Sequence, residues 1–194
     1  MRWDHNIAYH GTLLSALPHG AERALDVGCG DGTFARMVAG RVRQVDAIDK
    51  SPQMIATAAQ LGRPANVNFE VADFLTADLP ENSYDYISML AVAHHMPFAD
   101  AIDRARRLLR PAGVLAVLGL YRRQTPVDIA ATLAAAPVNQ AFLAWHGRSA
   151  YPAPIANPQL GLREIRSTAR RLLPGCEVRR LLLWRYLLLW RRPA

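Results

Sequence analysis

From residue 24 onward the chain repeats one beat: a short apolar run, a turn, then an amphipathic run. Residues 24–27 (ALDV) end in Gly28, and residues 32–40 put Phe34, Met37 and Val38 on one helical face. Residues 45–48 end at Asp49. Ser51 then offers an N-cap hydroxyl and Pro52 a first-turn proline for a helix reaching about Leu61, which Gly62 and Pro64 stop. Val67, Phe69 and Val71 alternate with Asn68 and Glu70, which predicts a strand open on one side, at a sheet edge. Residues 84–92 are a longer apolar run, and residues 99–109 follow with Ile102, Ala105, Leu108 and Leu109 at helical spacing. Pro111-Ala112-Gly113 turns the chain into residues 114–118, apolar throughout, as a strand covered on both faces would be.

Strands alternating with helices of this length specify a parallel sheet with right-handed crossovers, so the expected class is α/β, doubly wound. The last third departs from the beat. Residues 121–161 are rich in Pro, Ala and aromatics without a clear period. Residues 162–173 return to helix, with Leu162, Ile165, Ala169 and Leu172 as the apolar stripe and Arg163, Arg166 and Arg170 opposite. Residues 176–190 hold two apolar runs with no room for a crossover helix, so they must pair as an antiparallel hairpin, residues 181–190 reading as buried strand. No repeat, linker or second domain is visible, and a single domain over 1–194 is expected.

Length and composition narrow the classes. A chain of 194 residues with 51% apolar positions can build a core without staples and is not disordered. Its net charge of +7 is an asymmetry: residues 1–100 carry 7 basic and 12 acidic side chains, a net of −5, while residues 101–194 carry 16 and 4, a net of +12. Only Lys50 among the 23 basic residues is a lysine. The start lacks a secretory pattern, and no stretch approaches the ~20 apolar residues of a membrane span, so a cytoplasmic protein is expected. Cys29 and Cys176 have no CxxC neighbour, so neither a metal site nor a disulfide framework is expected.

The candidate chemistry begins at the first strand-to-helix turn, Val27-Gly28-Cys29-Gly30-Asp31-Gly32. Its glycines permit positive φ and close approach of a ligand to the backbone, and the helix opening beyond favours an anionic group, so a nucleotide-like ligand at this switch point is expected. Asp49 ends the second strand, where a carboxylate can accept both ribose hydroxyls. The dinucleotide fingerprint GxGxxG would need glycine at position 33, which is Thr33, so NAD is the weaker candidate. Asp73-Phe74 follows the third strand, an acid placed for an adenine amino group with an aromatic beside it.

With these motifs the sequence resembles the class I S-adenosylmethionine-dependent methyltransferases, in particular the small bacterial type related to the ubiquinone- and menaquinone-biosynthesis enzymes. LDVGCGDG resembles the family's first motif, AIDKSPQMI its second, VADF its adenine-binding segment, SMLAVAHHM its fourth-strand motif, and LLRPAGVLAVLG its turn into strand five. VRRLLLWRYLLLWRRP looks like strands six and seven. The resemblance implies a Rossmann-like seven-stranded sheet in the order 3-2-1-4-5-7-6 with strand seven antiparallel. Ala112 stands where the family often has a second glycine. By position, the resemblance implies that the backbone at Gly28 and Gly30 faces the methionine part of S-adenosyl-L-methionine and that Asp26 reaches its ammonium directly or through water. Asp49 would hold the ribose, Lys50 and Met54 would flank adenine, Asp73 with Phe74 would read its edge, and the Leu90 carbonyl would meet the amino group.

Methyl transfer is an in-line displacement that mainly requires alignment in a dry pocket, and a general base is useful without being obligatory. His94 and His95, just past strand four, are the candidates, with His95 preferred. The N-terminal 1–22 region, with Tyr9 and His10, and the 121–161 segment, with Tyr121, Trp145 and His146, are expected to cover the acceptor, which suits an aromatic small molecule such as a secondary metabolite or quinone-like compound. An acidic acceptor would be felt at Arg122, Arg123 or Arg148. A nucleic-acid methyltransferase is the runner-up because of the +12 half, but the Asp/Asn-Pro-Pro-Tyr/Phe signature is absent after strand four and no catalytic cysteine stands directly behind that strand. A non-catalytic protein that binds S-adenosylmethionine and acts as a partner is the third reading. The acceptor atom and the oligomeric state stay open.

Overall fold

The computed structural model describes residues 7–125 and 157–194. The glycines, prolines and alternations noted above cut the chain into seven strands, β1 (Arg23–Val27), β2 (Gln44–Asp49), β3 (Val67–Val71), β4 (Tyr84–Leu90), β5 (Leu109–Leu120), β6 (Glu177–Arg180) and β7 (Arg185–Arg191). The helices are α1 (His10–Ser15), α2 (Thr33–Ala39), α3 (Pro52–Gln60), α4 (Phe98–Leu108) and α5 (Leu162–Leu172), with short 3₁₀ turns at Ile7–Tyr9 and Ala93–His95. The strands form one sheet in the order β3-β2-β1-β4-β5-β7-β6. β1 to β5 are parallel, and β7 runs antiparallel to both β5 and β6. This is the doubly wound order that the resemblance implies.

Strand periodicity splits the core into two layers. Leu25, Val27, Ile87, Met89, Leu115 and Val117 face the side covered by α4 and α5, where Ile102, Ala105, Ile165 and Ala169 meet them. Ala24, Ala47, Tyr86, Ala116 and Leu118 face the other side, against Leu13 and Leu14 of α1, Phe34 and Val38 of α2 and Ala58 of α3. Asp26, between Leu25 and Val27, therefore shares the second face, and its register partner on β4 is Ser88. α3 starts as expected: Ser51 Oγ accepts from the Met54 N–H at 3.3 Å, with Pro52 in the first turn. α5 is fixed at its start by Glu164 Oε2, which accepts from the Gly161 N–H at 2.7 Å.

Three details differ from the sequence expectation. Met37 is 38% exposed, because Phe34, Ala35 and Val38 suffice to seat the short helix α2. The 111–113 turn lies within β5: Tyr84 pairs with Leu109 and Tyr86 with Val114, so residues 110–113 bulge out of the ladder, with Ala112 at φ +62°. The glycine common in the family at Ala112 would hold that conformation with less strain. Residues 181–184 are a reversal and not strand: Leu183 and Trp184 have φ near +56° and +59°, and Leu182 is 58% exposed. A hairpin needs its reversal somewhere, and the expected single apolar run supplied it. Arg104, on α4, is half-buried: its guanidinium lies 5.7 Å from the centre of the Phe74 ring and donates to the Ala77 carbonyl.

Candidate functional site

Because β1 to β4 are parallel, their carboxyl ends and the turns that follow share one sheet edge. Gly28, Gly30 and Gly32 all have positive φ, +66°, +55° and +75°. The turn is also crowded. A Cβ at Gly28 would come within 2.4 Å of Val92 Cγ2, and one at Gly32 within 2.6 Å of the Phe69 ring. Only glycine fits at these two positions, because the Val92 side chain and the Phe69 ring occupy the space a Cβ would need.

Two carboxylates organise the turn. Asp49 Oδ2 accepts from the Gly30 N–H at 2.9 Å and Oδ1 from the Ser51 N–H at 2.8 Å, so one side chain ties the glycine turn to the start of α3. Asp26 is 2% exposed; its Oδ1 accepts from Ser88 Oγ at 2.8 Å, and among the described residues its buried Oδ2 has no partner. Burial drives the Asp26 carboxyl up to about 7, the Ser88 hydroxyl opposing and the Asp49 charge adding to the rise. A buried carboxylate oxygen with no donor calls for a cationic or hydrogen-bonding ligand.

The other expected residues take several positions. Asp73 Oδ1 accepts from the Leu75 N–H at 2.9 Å, and its Oδ2 lies 3.8 Å from the exposed Lys50 Nζ, so these two face each other across the ends of β2 and β3. Met54 is buried in the first turn of α3, and Leu90 is half-buried at the end of β4, where the next N–H, of Ala91, is bonded to the Leu118 carbonyl at 2.7 Å. Phe74 is a core residue, the centre of its ring 5.7 Å from the Arg104 guanidinium. His10 is 7% exposed and meets the Phe34 ring edge-on at 5.1 Å, while Tyr121 is buried in the core; both are packed and not open cover. Tyr9 packs beside the second core layer. Trp145, His146 and Arg148 lie outside the described residues.

His94 and His95 lie together on the 3₁₀ turn after β4, their ring centroids 4.2 Å apart. Burial, and then the neighbouring His95, lower the His94 pKa to about 4, so it stays neutral, and its buried Nδ1 has no partner among the described residues. His95 is exposed; partial burial lowers its pKa, Asp49 acts the other way, and Lys50 adds to the lowering. The histidine thus senses the β2 end across the glycine turn. Two residues went unnoticed in the sequence: Ser88, a small hydroxyl between Ile87 and Met89, and Val92, whose side chain closes over Gly28. A serine amid buried apolar neighbours was the signal for the first; for the second there was none.

Comparison with known proteins gives the setting. Residues 24–113 match the family described as a methyltransferase domain. An uncharacterised methyltransferase of Mycobacterium tuberculosis is 34% identical over 197 residues, 99% of this chain and 98% of the relative. The ubiquinone biosynthesis O-methyltransferase of Xanthomonas oryzae pv. oryzae is 35% identical over 112 residues, 56% of this chain and 46% of the relative. Among solved structures, the N-methyltransferase NodS from Bradyrhizobium japonicum in complex with S-adenosyl-l-homocysteine superposes with a TM-score of 0.66 at 17% identity, covering 97% of this chain and 87% of that one, a likeness of fold.

Proposed function

This chain belongs to the class I S-adenosylmethionine-dependent methyltransferases, and from that premise we propose that it methylates a small-molecule acceptor at the carboxyl edge of β1, β4 and β5. One observation carries the site: the buried Asp26 Oδ2, lacking a partner among the described residues, beside the positive-φ turn at Gly28–Gly30. The residues fit the cofactor's chemistry. Asp26 would take its ammonium, the Gly28 and Gly30 backbone its methionine part, and Asp49 the ribose, with Asp73 and Lys50 at the adenine end. A ligand that is net positive suits a cradle built from the acidic half of the chain.

Bound there, S-adenosylmethionine supplies an activated methyl group on its sulfonium. The chain's own contribution is alignment and proton removal. Val92 and the glycine turn fix one wall, Asp26 anchors the amino-acid end, and the neutral His95 imidazole accepts the proton that the acceptor's hydroxyl or amine gives up as its oxygen or nitrogen bonds the methyl. His94, kept neutral by burial, packs against the His95 ring and limits where it points. No helix among the described residues is long and apolar enough to cross a membrane.

Several arginines of the basic half engage the chain's own groups, Arg106 and Arg107 with Asp103, Arg107 also with Glu81, Arg110 with Asp85 and Arg179 with Glu177, which weakens the case for a phosphate backbone as substrate. The test is transfer of label from methyl-tritiated S-adenosylmethionine to a panel of phenols, amines and quinols beside bulk RNA and DNA. Label in a small molecule supports the reading; label confined to nucleic acid, or tight cofactor binding with none transferred to any acceptor, contradicts it. With an acceptor from that panel, His95→Ala should lower kcat about 10²–10³-fold and leave cofactor affinity unchanged. Full activity in that variant would remove His95 as the base.

A further inference from the structure

The turn that carries Asp73 is held from outside by one arginine of α4. The Asp73 carbonyl accepts from the Thr76 N–H at 3.1 Å and the Ala77 N–H at 2.8 Å, while its Oδ1 accepts from the Leu75 N–H at 2.9 Å. Phe74, 4% exposed and packed in the core, anchors the near end of this turn. The far end is the Ala77 carbonyl, which accepts from the Leu79 N–H at 3.0 Å and from the Arg104 guanidinium. That guanidinium also lies 5.7 Å from the centre of the Phe74 ring, so one side chain grips both ends of the turn. Asp73 Oδ2 is left at the sheet edge, 3.8 Å from Lys50 Nζ.

Packing alone does not account for an arginine in this place. The other arginines of α4 have acids to meet: Arg106 and Arg107 pair with Asp103, and Arg107 also with Glu81. Among the described residues Arg104 has no carboxylate partner, and its buried Nε has no hydrogen-bond partner. A half-buried guanidinium with an orphaned donor carries a desolvation cost that a leucine laid on Phe74 would avoid. What leucine lacks is a planar group that lies against a ring and donates to a carbonyl at the same time. The charge therefore has its use at the Ala77 carbonyl, and through it in the shape of the turn.

We infer that Arg104 is a positioning residue of the cofactor site: by holding Phe74 and the Ala77 carbonyl it fixes the angle at which Asp73 meets the purine, and so sets how strictly the site demands an adenine amino group over a 6-oxo purine. This rests on the reading of Asp73 as the acid at the adenine end. A carboxylate accepts from the amino group of adenine, whereas hypoxanthine would set a carbonyl oxygen against it. The distinction depends on orientation, because a hydrogen bond weakens steeply as its angle closes. With the turn released, the exposed Asp73 swings aside from either base. Discrimination is then lost while the ribose and amino-acid contacts still hold the ligand.

The test is calorimetric titration of the full chain with S-adenosylhomocysteine and with S-inosylhomocysteine. The wild-type protein should bind the adenosyl ligand about tenfold or more tightly, as one charge-assisted hydrogen bond implies. Arg104→Leu keeps an apolar contact on Phe74 and should cut the ratio to about threefold or less, through weaker binding of the adenosyl ligand alone. Arg104→Lys, which reaches the carbonyl but cannot lie flat on the ring, should fall between. Arg106→Gln, on the same helix, should keep the wild-type ratio. In an Asp73→Ala background the ratio should be about one, and adding Arg104→Leu should lower it no further. A wild-type ratio in Arg104→Leu would overturn the proposal, as would equal losses of both ligands, the mark of a residue that only supports the fold. If a thermal melt shows that Arg104→Leu does not fold, a wild-type ratio in Arg104→Lys overturns it instead. A ratio lost in Asp73→Ala but kept in Arg104→Leu sinks the role of Arg104 alone, whereas a ratio kept in Asp73→Ala removes the reading of Asp73 and this proposal with it.

Discussion

Replacing Asp26 by Asn should make the protein more stable at pH 8 while it weakens cofactor binding. The carboxyl is pushed up to about 7 in the fold from an ordinary value of 3.8, because it is buried, the Ser88 hydrogen bond opposing and the nearby Asp49 charge adding to the rise. Between those values the folded chain holds a proton that the unfolded chain has released, so stability falls as pH rises from about 4 and levels off above about 7. The total loss is about 4 kcal/mol. Asparagine carries no charge to bury but brings an amide donor without an obvious acceptor, at a cost of about 1–3 kcal/mol. A net gain of about 1–3 kcal/mol is expected, a rise of roughly 2–4 °C in Tm per kcal/mol for a chain of this size. No gain should remain at pH 4, where the wild-type residue is protonated too. Affinity should move the opposite way. In the wild-type protein, binding of the cationic ammonium should fall about tenfold for each pH unit below about 7, whereas the variant should bind weakly with that dependence gone. Thermal melts and calorimetric titrations at pH 4 to 8 read both halves, and a variant that is less stable at pH 8 or unchanged in affinity would contradict the assignment.

The second large effect is expected at Asp49. Its carboxylate accepts two backbone N–H groups, from Gly30 and Ser51, and so holds the glycine turn against the start of α3. Hydrogen bonds to charged groups contribute about 1.5–3 kcal/mol each, and Asp49→Ala removes both together with the proposed ribose contact. Affinity for S-adenosylhomocysteine should drop about hundredfold or more. Asp49→Asn keeps an oxygen acceptor for one amide and should fall between. Unchanged affinity in Asp49→Ala, measured by calorimetry, would move the ribose elsewhere.

Much of this arrangement was legible before any coordinates. The apolar runs at β1, β2, β4 and β5 are bounded by glycine, proline or acid, so strand and turn signals coincide, and the parallel crossovers follow from the spacing. Asp49 and Asp73 were legible as candidates because they stand at or just past strand ends, whereas Asp26 is buried inside β1 and was pointed to only by the family resemblance. What escaped depends on contacts between distant segments. Phe74 was read as a ligand-facing aromatic because sequence cannot show that Arg104, 30 residues on, stacks over it. His10 looked like cover, yet Phe34 supplies it a packing partner. The bulge at residues 110–113 and the reversal at residues 181–184 use positive φ at Ala112, Leu183 and Trp184, residue types that carry no turn signal.

The account's central claim is that Asp26 is the anchor for the amino-acid end of the methyl donor, and a crystal structure of the S-adenosylhomocysteine complex tests it most directly. The expected result is the ligand's amino group hydrogen-bonded to Asp26 Oδ2, directly or through one water, with Ser88 still on Oδ1 and the ribose at Asp49. A ligand whose amino group lies away from Asp26, leaving Oδ2 as bare as it is now, would contradict it.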